Sequence, residues 1–431
     1  MAGAVTERGK GVGAQETAPL RVFASALWLL AGCSAAADPT PPPPGRQLFT
    51  LLPSSYTGVR FENRLHDTHD LNVFTYRNYY NGGGVALGDL TGDGLPEIVL
   101  TSNLGGIRLY LNEGKFRFRD VTEQAGLRSK GWTTGVTLAD VNGDGRLDIY
   151  VCHAGLGDSR LRANELYINQ GPNADGVPTF VEQAAAYGVA DSGYSTQAVF
   201  FDYDRDGDLD LFVINNSPRP VVSFELKNTR TVRDPLGGAK LYRNDGGHFT
   251  DVSAAAGIFG SEIGLGLGVV VSDVNRDGWP DIYVANDFFE RDYLYINKGD
   301  GTFTERLEQE MPYISLSSMG LDIADANNDG WPDIYVADML PDDEHRLKTT
   351  SSFETWNRLA DMNPVLRDLE PDAEALIVNR MSDPPVFAIA PIDRCYMLVG
   401  IVKSAWEGIS GGAGLESAID GYFEELRRVA A

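Results

Sequence analysis

The chain has 431 residues, 36 Lys and Arg against 61 Asp and Glu, and a formal net charge of −25. So acidic a surface repels phosphate backbones and excludes nucleic acid as a partner, while a hydrophobic content of 43% is enough for a packed core. Three Cys build no disulfide framework, no C-x-x-C zinc pattern is present, and the length suits two or three domains or one long repeat array.

The N-terminus reads as an address. Arg21 precedes an apolar run from Val22 to Leu30, followed by Ala31-Gly32-Cys33-Ser34. A positive residue, a short apolar run and small residues make a secretory signal over residues 1–33, and the run is far below the ~20 residues of a permanent membrane helix. Leu30-Ala31-Gly32-Cys33 resembles the bacterial lipobox, which implies lipidation of Cys33 and an exported, membrane-anchored lipoprotein. Ordinary cleavage among Ala35, Ala36 and Ala37 would leave a secreted protein instead. Residues 34–57, with Pro41 to Pro44, read as a stiff polyproline spacer.

Repetition organises residues 58–362. Five segments share one nine-residue pattern: Asp89 to Glu97, Asp140 to Asp148, Asp202 to Asp210, Asp273 to Asp281 and Asp325 to Asp333, with starts 51, 62, 71 and 52 residues apart. Apolar, β-branched and aromatic runs flank each one, which predicts a hairpin around each loop. A Leu-Tyr-x-Asn strand follows four of them, at Leu109, Leu166, Leu241 and Leu294, and glycine-bearing turns then lead to Phe116, Phe180, Phe249 and Phe303. About four strands in ~50–70 residues match a propeller blade, whereas β-solenoid repeats are shorter. The prediction is an all-β propeller with about five visible blades. An insertion runs from Asn215 to Ala239, and after the fifth loop the Leu-Tyr-x-Asn strand does not arrive, so the array stops inside a blade.

Oxygen-rich loops suit a hard cation that accepts six to eight oxygens, Ca²⁺ rather than the reluctantly dehydrated Mg²⁺. Positions 1, 3, 5 and 9 offer side-chain oxygens and position 7 a backbone carbonyl. The candidate ligands are Asp89, Asp93, Leu95 and Glu97 in the first loop and Asp140, Asn142, Asp144, Arg146 and Asp148 in the second. In the third they are Asp202, Asp204, Asp206, Asp208 and Asp210. The fourth offers Asp273, Asn275, Asp277, Trp279 and Asp281, and the fifth Asp325, Asn327, Asp329, Trp331 and Asp333. Position 6 is Gly every time, where a chain folding around one ion turns sharply. The first loop is the weakest, with Thr91 at position 3, and the third the most acidic. A closing carboxylate at position 9 and flanking strands exclude an EF-hand. A polar hairpin turn accounts for one such loop but not for five in register. Up to five Ca²⁺ are therefore expected, and seventeen of the 61 carboxylates sit in these loops.

These residues resemble the FG-GAP/VCBS repeats of integrin α-subunits and bacterial surface proteins. They are most similar to the VCBS group related to cartilage acidic protein and ASPIC/UnbV, through Asn81-Gly-Gly-Gly-Val-Ala-Leu-Gly-Asp89, Leu-Tyr-x-Asn and Phe118 to Thr122. The resemblance implies a calcium-stabilised propeller, usually seven-bladed, exported and used for adhesion or ligand binding, with a protein or glycan partner at the cell surface. Five loops leave its closure open. Residues 363–431 are expected to form an unrelated small α+β tail, with Leu415, Ile419, Tyr422, Phe423 and Leu426 on one face of a last helix. That tail resembles part of an uncharacterised bacterial domain.

No enzyme is expected. Neither a G-x-S-x-G elbow nor a metalloprotease helix accompanies His66, His69, His153, His248 and His345, and the visible carboxylates belong to the loops. His66-Asp-Thr-His69 reads as a polar loop rather than half a metal site, and Cys152 and Cys395 as small buried residues rather than nucleophiles. A polysaccharide-active hydrolase or lyase built on the propeller is the alternative.

Overall fold

The computed structural model describes residues 49–218, 229–287, 290–311, 314–315 and 318–338. Cys33, the signal, the tail beyond residue 338 and part of the insertion after Asn215 lie outside them. The chain divides into Met1–Pro53 and Ser54–Ala431, and every described strand belongs to the second unit. Among the described residues no helix is long and apolar enough to cross a membrane.

The strands form four antiparallel four-stranded meanders and one two-stranded sheet. The first holds β1 (Val85–Gly88), β2 (Glu97–Ser102), β3 (Gly106–Asn112) and β4 (Phe118–Asp120). The second holds β5 (Trp132–Ala139), β6 (Asp148–Ala154), β7 (Glu165–Pro172) and β8 (Pro178–Glu182). The third holds β9 (Ser195–Phe201), β10 (Asp210–Asn215), β11 (Lys240–Asn244) and β12 (Phe249–Asp251). The fourth holds β13 (Gly266–Ser272), β14 (Asp281–Asn286), β15 (Tyr293–Asn297) and β16 (Phe303–Glu305). The last, among the described residues, pairs β17 (Ser318–Ala324) with β18 (Asp333–Asp338), and the place where a third strand would follow lies beyond them. Each nine-residue loop joins the first strand of a sheet to the second.

Strands buried on both faces need apolar neighbours above and below, and here each sheet finds them in the next sheet. Val99 and Leu109 of the first pack with Ile149 and Val151 of the second. Tyr150 and Leu166 pack with Leu211 and Val213, and Phe212 and Leu241 with Ile282 and Val284. The core is thus a series of layers between sheets. First strands pack against first strands along the series. Val85, Gly135, Gln197, Val269 and Leu321, one from each sheet, line a single cavity of about 630 Å³. This is the arrangement of propeller blades around an axis, and among the described residues the sheets form no closed barrel.

One expected position moves. The fourth strand of the first blade begins at Phe118, which pairs with Asn112 as Phe180, Phe249 and Phe303 pair with Asn169, Asn244 and Asn297. Phe116 is instead in the turn, at φ 59° beside Lys115 at φ 53°. The glycine-bearing turn is longer than its sequence suggests.

The connector that leaves each blade carries a glycine seated on the next blade. Gly126, Gly188 and Gly257 all have φ between 80° and 83°, and a Cβ there would lie 3.3, 2.7 and 2.7 Å from the carbonyl oxygens of Phe180, Phe249 and Phe303. Gly58, ahead of the first blade, repeats this at φ 83° against the Phe118 oxygen. Residues 54–59 therefore hold the place of a connector from a preceding blade. No blade precedes it among the described residues, and Val85 and Leu87 of β1 are 63% and 66% exposed.

Candidate metal centres

Backbone amides organise the side chains of each loop, and among the described residues the third loop alone brings three carboxylates within 4.8 Å of one another. The position 1 carboxylate folds back over its own loop. Asp140 accepts from the N–H of Asp144 at 3.0 Å and of Gly145 at 2.8 Å, and Asp273 from Asp277 and Gly278 at the same distances. Asp325 does the same with Asp329 and Gly330, and Asp89 with Gly92, Asp93 and Gly94. Position 5 then accepts from the position 7 N–H, as Asp93 does from Leu95, Asp144 from Arg146, Asp206 from Asp208, Asp277 from Trp279 and Asp329 from Trp331. Burial raises the pKa of Asp89, but its four amide bonds outweigh this and hold the carboxyl below its ordinary value.

Position 9 is the deepest. Glu97, Asp148, Asp210 and Asp281 are all buried. Each uses one oxygen to accept the position 2 N–H of its loop: Leu90, Val141, Tyr203 and Val274, at 2.8 to 3.0 Å. The other accepts the N–H of the Leu-Tyr-x-Asn asparagine: Asn112, Asn169, Asn244 and Asn297, at 2.8 to 3.3 Å. Asp333 makes the first bond, from Ala326, on its exposed sheet. Desolvation, only partly offset by those amides, raises Asp148 and Asp281 to about 6 and Asp210 to about 7, with Asp204 and Asp206 adding repulsion to Asp210. A carboxylate oxygen has lone pairs for both an amide and a cation, so this second role leaves the ligand role open.

The third loop tests whether a cation fits. Carboxylate oxygens of Asp202, Asp204 and Asp210 lie within 4.8 Å of one another. In the second and fourth loops the position 3 Asn donates its side-chain N–H to the position 5 carboxylate, Asn142 to Asp144 and Asn275 to Asp277. Asp204 replaces that donor with a third acid. The Oδ1 atoms of Asp202 and Asp204 are shielded from solvent and have no hydrogen-bond partner. Buried acid oxygens without a donor are costly unless a cation neutralises them, so this donor set fits one.

Two families match the chain. FG-GAP-like repeats match residues 69–151, 231–284 and 273–336, and a family of unknown function, DUF5947, matches residues 335–430. Over the first three stretches the chain is similar to FG-GAP-like repeats. Human integrin alpha-7 is 41% identical over 87 residues, covering 17% of this chain and 7% of that protein. Rat integrin alpha-7 is 30% identical over 157 residues, covering 34% of this chain and 13% of its own length. The chain thus spans a small fraction of the length of these relatives. Among solved structures, an Agrocybe aegerita lectin recognising non-reducing terminal N-acetylglucosamine covers 60% of both chains at 18% identity, with a TM-score of 0.32. The Vibrio cholerae biofilm matrix protein Bap1 covers 56% of this chain and 30% of its own, at 17% identity and a TM-score of 0.29.

The asparagine of Leu-Tyr-x-Asn is a functional residue that motif reading missed. Besides its N–H bond to position 9, its side chain spans two blades of the array. Asn169 donates to the carbonyl of Leu147 in its own blade at 3.0 Å and of Leu90 in the previous loop at 2.9 Å. Asn297 does so to Pro280 and Tyr203, and Asn244 to Leu209 and Val141. The signal was present in the sequence as one Asn recurring at a fixed place after the apolar pair.

The described histidines and cysteine singled out in the sequence sit as follows. His153 is buried, but Glu165 and Ser129 approach the same nitrogen, Nε2, at 3.1 and 3.3 Å. A nucleophile relay needs them on opposite nitrogens. Burial pushes the Cys152 thiol far above its ordinary pKa, which keeps it protonated and inert. His66 and His69 are exposed, and the His69 ring lies beside Asp70.

Proposed function

We propose that this protein is a non-enzymatic, calcium-binding β-propeller module that binds a protein or glycan ligand in adhesion at the cell surface. The unpartnered, buried Oδ1 atoms of Asp202 and Asp204 carry the metal part of this reading. Ca²⁺ would be held by the loop carboxylates and position 7 carbonyls, and when bound it would neutralise acid that otherwise repels itself. The chain's own residues do the rest. Position 9 holds two strands in register through its paired amides, position 1 curls the loop, and the bridging asparagines tie each loop to the next. The face is thereby stiffened, and the loops on it, including residues 215–239, are free to vary for a ligand. The N-terminal residues fit export and a lipid anchor at Cys33.

Calorimetry of metal-free protein with Ca²⁺ and with EGTA at matched ionic strength tests the metal. A raised melting temperature is expected with Ca²⁺, and an unchanged one removes calcium. A Ca²⁺-dependent signal on glycan or protein arrays without product release supports binding; turnover of a polysaccharide would overturn it in favour of a hydrolase or lyase.

A further inference from the structure

Position 4 of each loop has a left-handed backbone. In the first two loops it is Gly92 and Gly143, for which φ of 83° and 69° costs little. In the third and fourth it is Arg205 and Arg276, both at φ 61°, a conformation that a long side chain adopts only against a steric cost. The two arginines share a further contact. The Arg205 guanidinium lies 4.4 Å from the ring centre of Trp279, and that of Arg276 lies 4.7 Å from Trp331. Each therefore reaches from position 4 of one loop to position 7 of the next. A Cβ on Gly278, at position 6, would come within 3.1 Å of the Arg205 guanidinium, so the group rests on two successive residues of the neighbouring loop. Those residues hold its carboxylates: Gly278 donates its N–H to Asp273 and Trp279 to Asp277, both at 2.8 Å.

We propose that Arg205 and Arg276 are positioning residues that couple the third, fourth and fifth loops, so that a divalent cation in one raises the affinity of its neighbour. This coupling rests on calcium occupying the loops. Ordering the fourth loop fixes Gly278 and Trp279, which seats Arg205 and so selects the left-handed turn of the third loop; the same steps link Trp331 to Arg276. Coupling of this kind is reciprocal. A guanidinium stacked on an exposed indole supports a coupling of about two- to five-fold per pair. The first two loops are an internal control, because glycine at position 4 has no side chain to reach the next loop, where Arg146 and Asp208 stand at position 7.

The test is a titration of the metal-free full chain with Ca²⁺ against a chromophoric chelator, which yields stepwise constants, alongside tryptophan emission. The wild type should bind cooperatively. Arg205→Ala with Arg276→Ala should bind the same number of ions without cooperativity, and Arg205→Lys with Arg276→Lys, which keeps the charge but not the flat stacking surface, should not restore it. No bound Ca²⁺ in the wild type would overturn the calcium reading and this proposal together. Bound Ca²⁺ with equal cooperativity in the alanine variant would overturn the coupling alone, as would a loss of sites in that variant, which would make the arginines merely structural.

Discussion

The side chain of Asn297 donates to the carbonyl of Tyr203 at 2.9 Å, joining two loops whose residues are 94 positions apart. Asn169 to Leu90 and Asn244 to Val141 repeat the contact in the two blades before it. Asn112, which has no blade before it among the described residues, donates within its own blade, to Pro96, and accepts from Gly114.

Replacing Asn297 by Ala leaves the buried Tyr203 carbonyl without its donor and removes two further bonds, to Pro280 and from Gly299. The expected loss is about 2–5 kcal/mol of unfolding free energy, from one buried acceptor left unpaired and two bonds broken. Denaturant titration of the wild type and Asn297→Ala measures it. Asn112→Ala, with its two bonds inside one blade, should cost about 1–2 kcal/mol.

Asp204→Asn acts in opposite directions with and without metal. The amide supplies the donor that Asn142 and Asn275 provide in their loops, so the metal-free variant should melt above the metal-free wild type. With Ca²⁺ the gain should shrink, and isothermal titration should count one ion fewer. A metal-free melting temperature at or below wild type would show that the three acids are not strained.

Protons should act on the same groups. In the metal-free fold Asp148 and Asp281 are raised to about 6 and Asp210 to about 7, above the ~4 of an unfolded Asp. The folded state therefore binds protons that the unfolded chain does not, and its stability is fullest below ~4 and is lost as pH rises through 6 to 7. Melting temperatures of metal-free protein should fall between pH 5 and 8 from these groups. Saturating Ca²⁺ holds the carboxylates ionised, so its stabilising increment should grow over the same range.

Close packing of first strands predicts a contrast between two glycines. A Cβ on Gly135 would lie 2.5 Å from the Thr196 carbonyl oxygen, a backbone atom that cannot swing away, whereas one on Gly320 meets nothing within 4 Å. Gly135→Ala should cost about 1–3 kcal/mol by overpacking, and Gly320→Ala should be neutral within about 0.5 kcal/mol. Thermal melts of the two variants read the difference.

Much of this fold was legible because loop and strand signals are local. The five Asp-Gly loops, the apolar runs beside them and the Leu-Tyr-x-Asn strands locate every described blade. What escaped was non-local. Phe116 and Phe118 are two aromatic residues two apart, and only pairing with Asn112 decides which begins the strand. Gly58 is one glycine among 48 until its seat on Phe118 is seen. The position 9 acids read as ligands, and their bonds to amides of a strand 15 to 34 residues away require the folded sheet.

The layered core has a consequence for how the molecule comes apart. Because each apolar layer is shared by two neighbouring sheets, stability propagates as a one-dimensional chain of nearest-neighbour terms. The third sheet is held from both sides, while among the described residues the first sheet shares a layer only with the second, and β17 and β18 only with the fourth. Opening should start at the sheets with one shared layer and advance towards the third, giving a gradient of amide-exchange protection along the sequence rather than one global threshold.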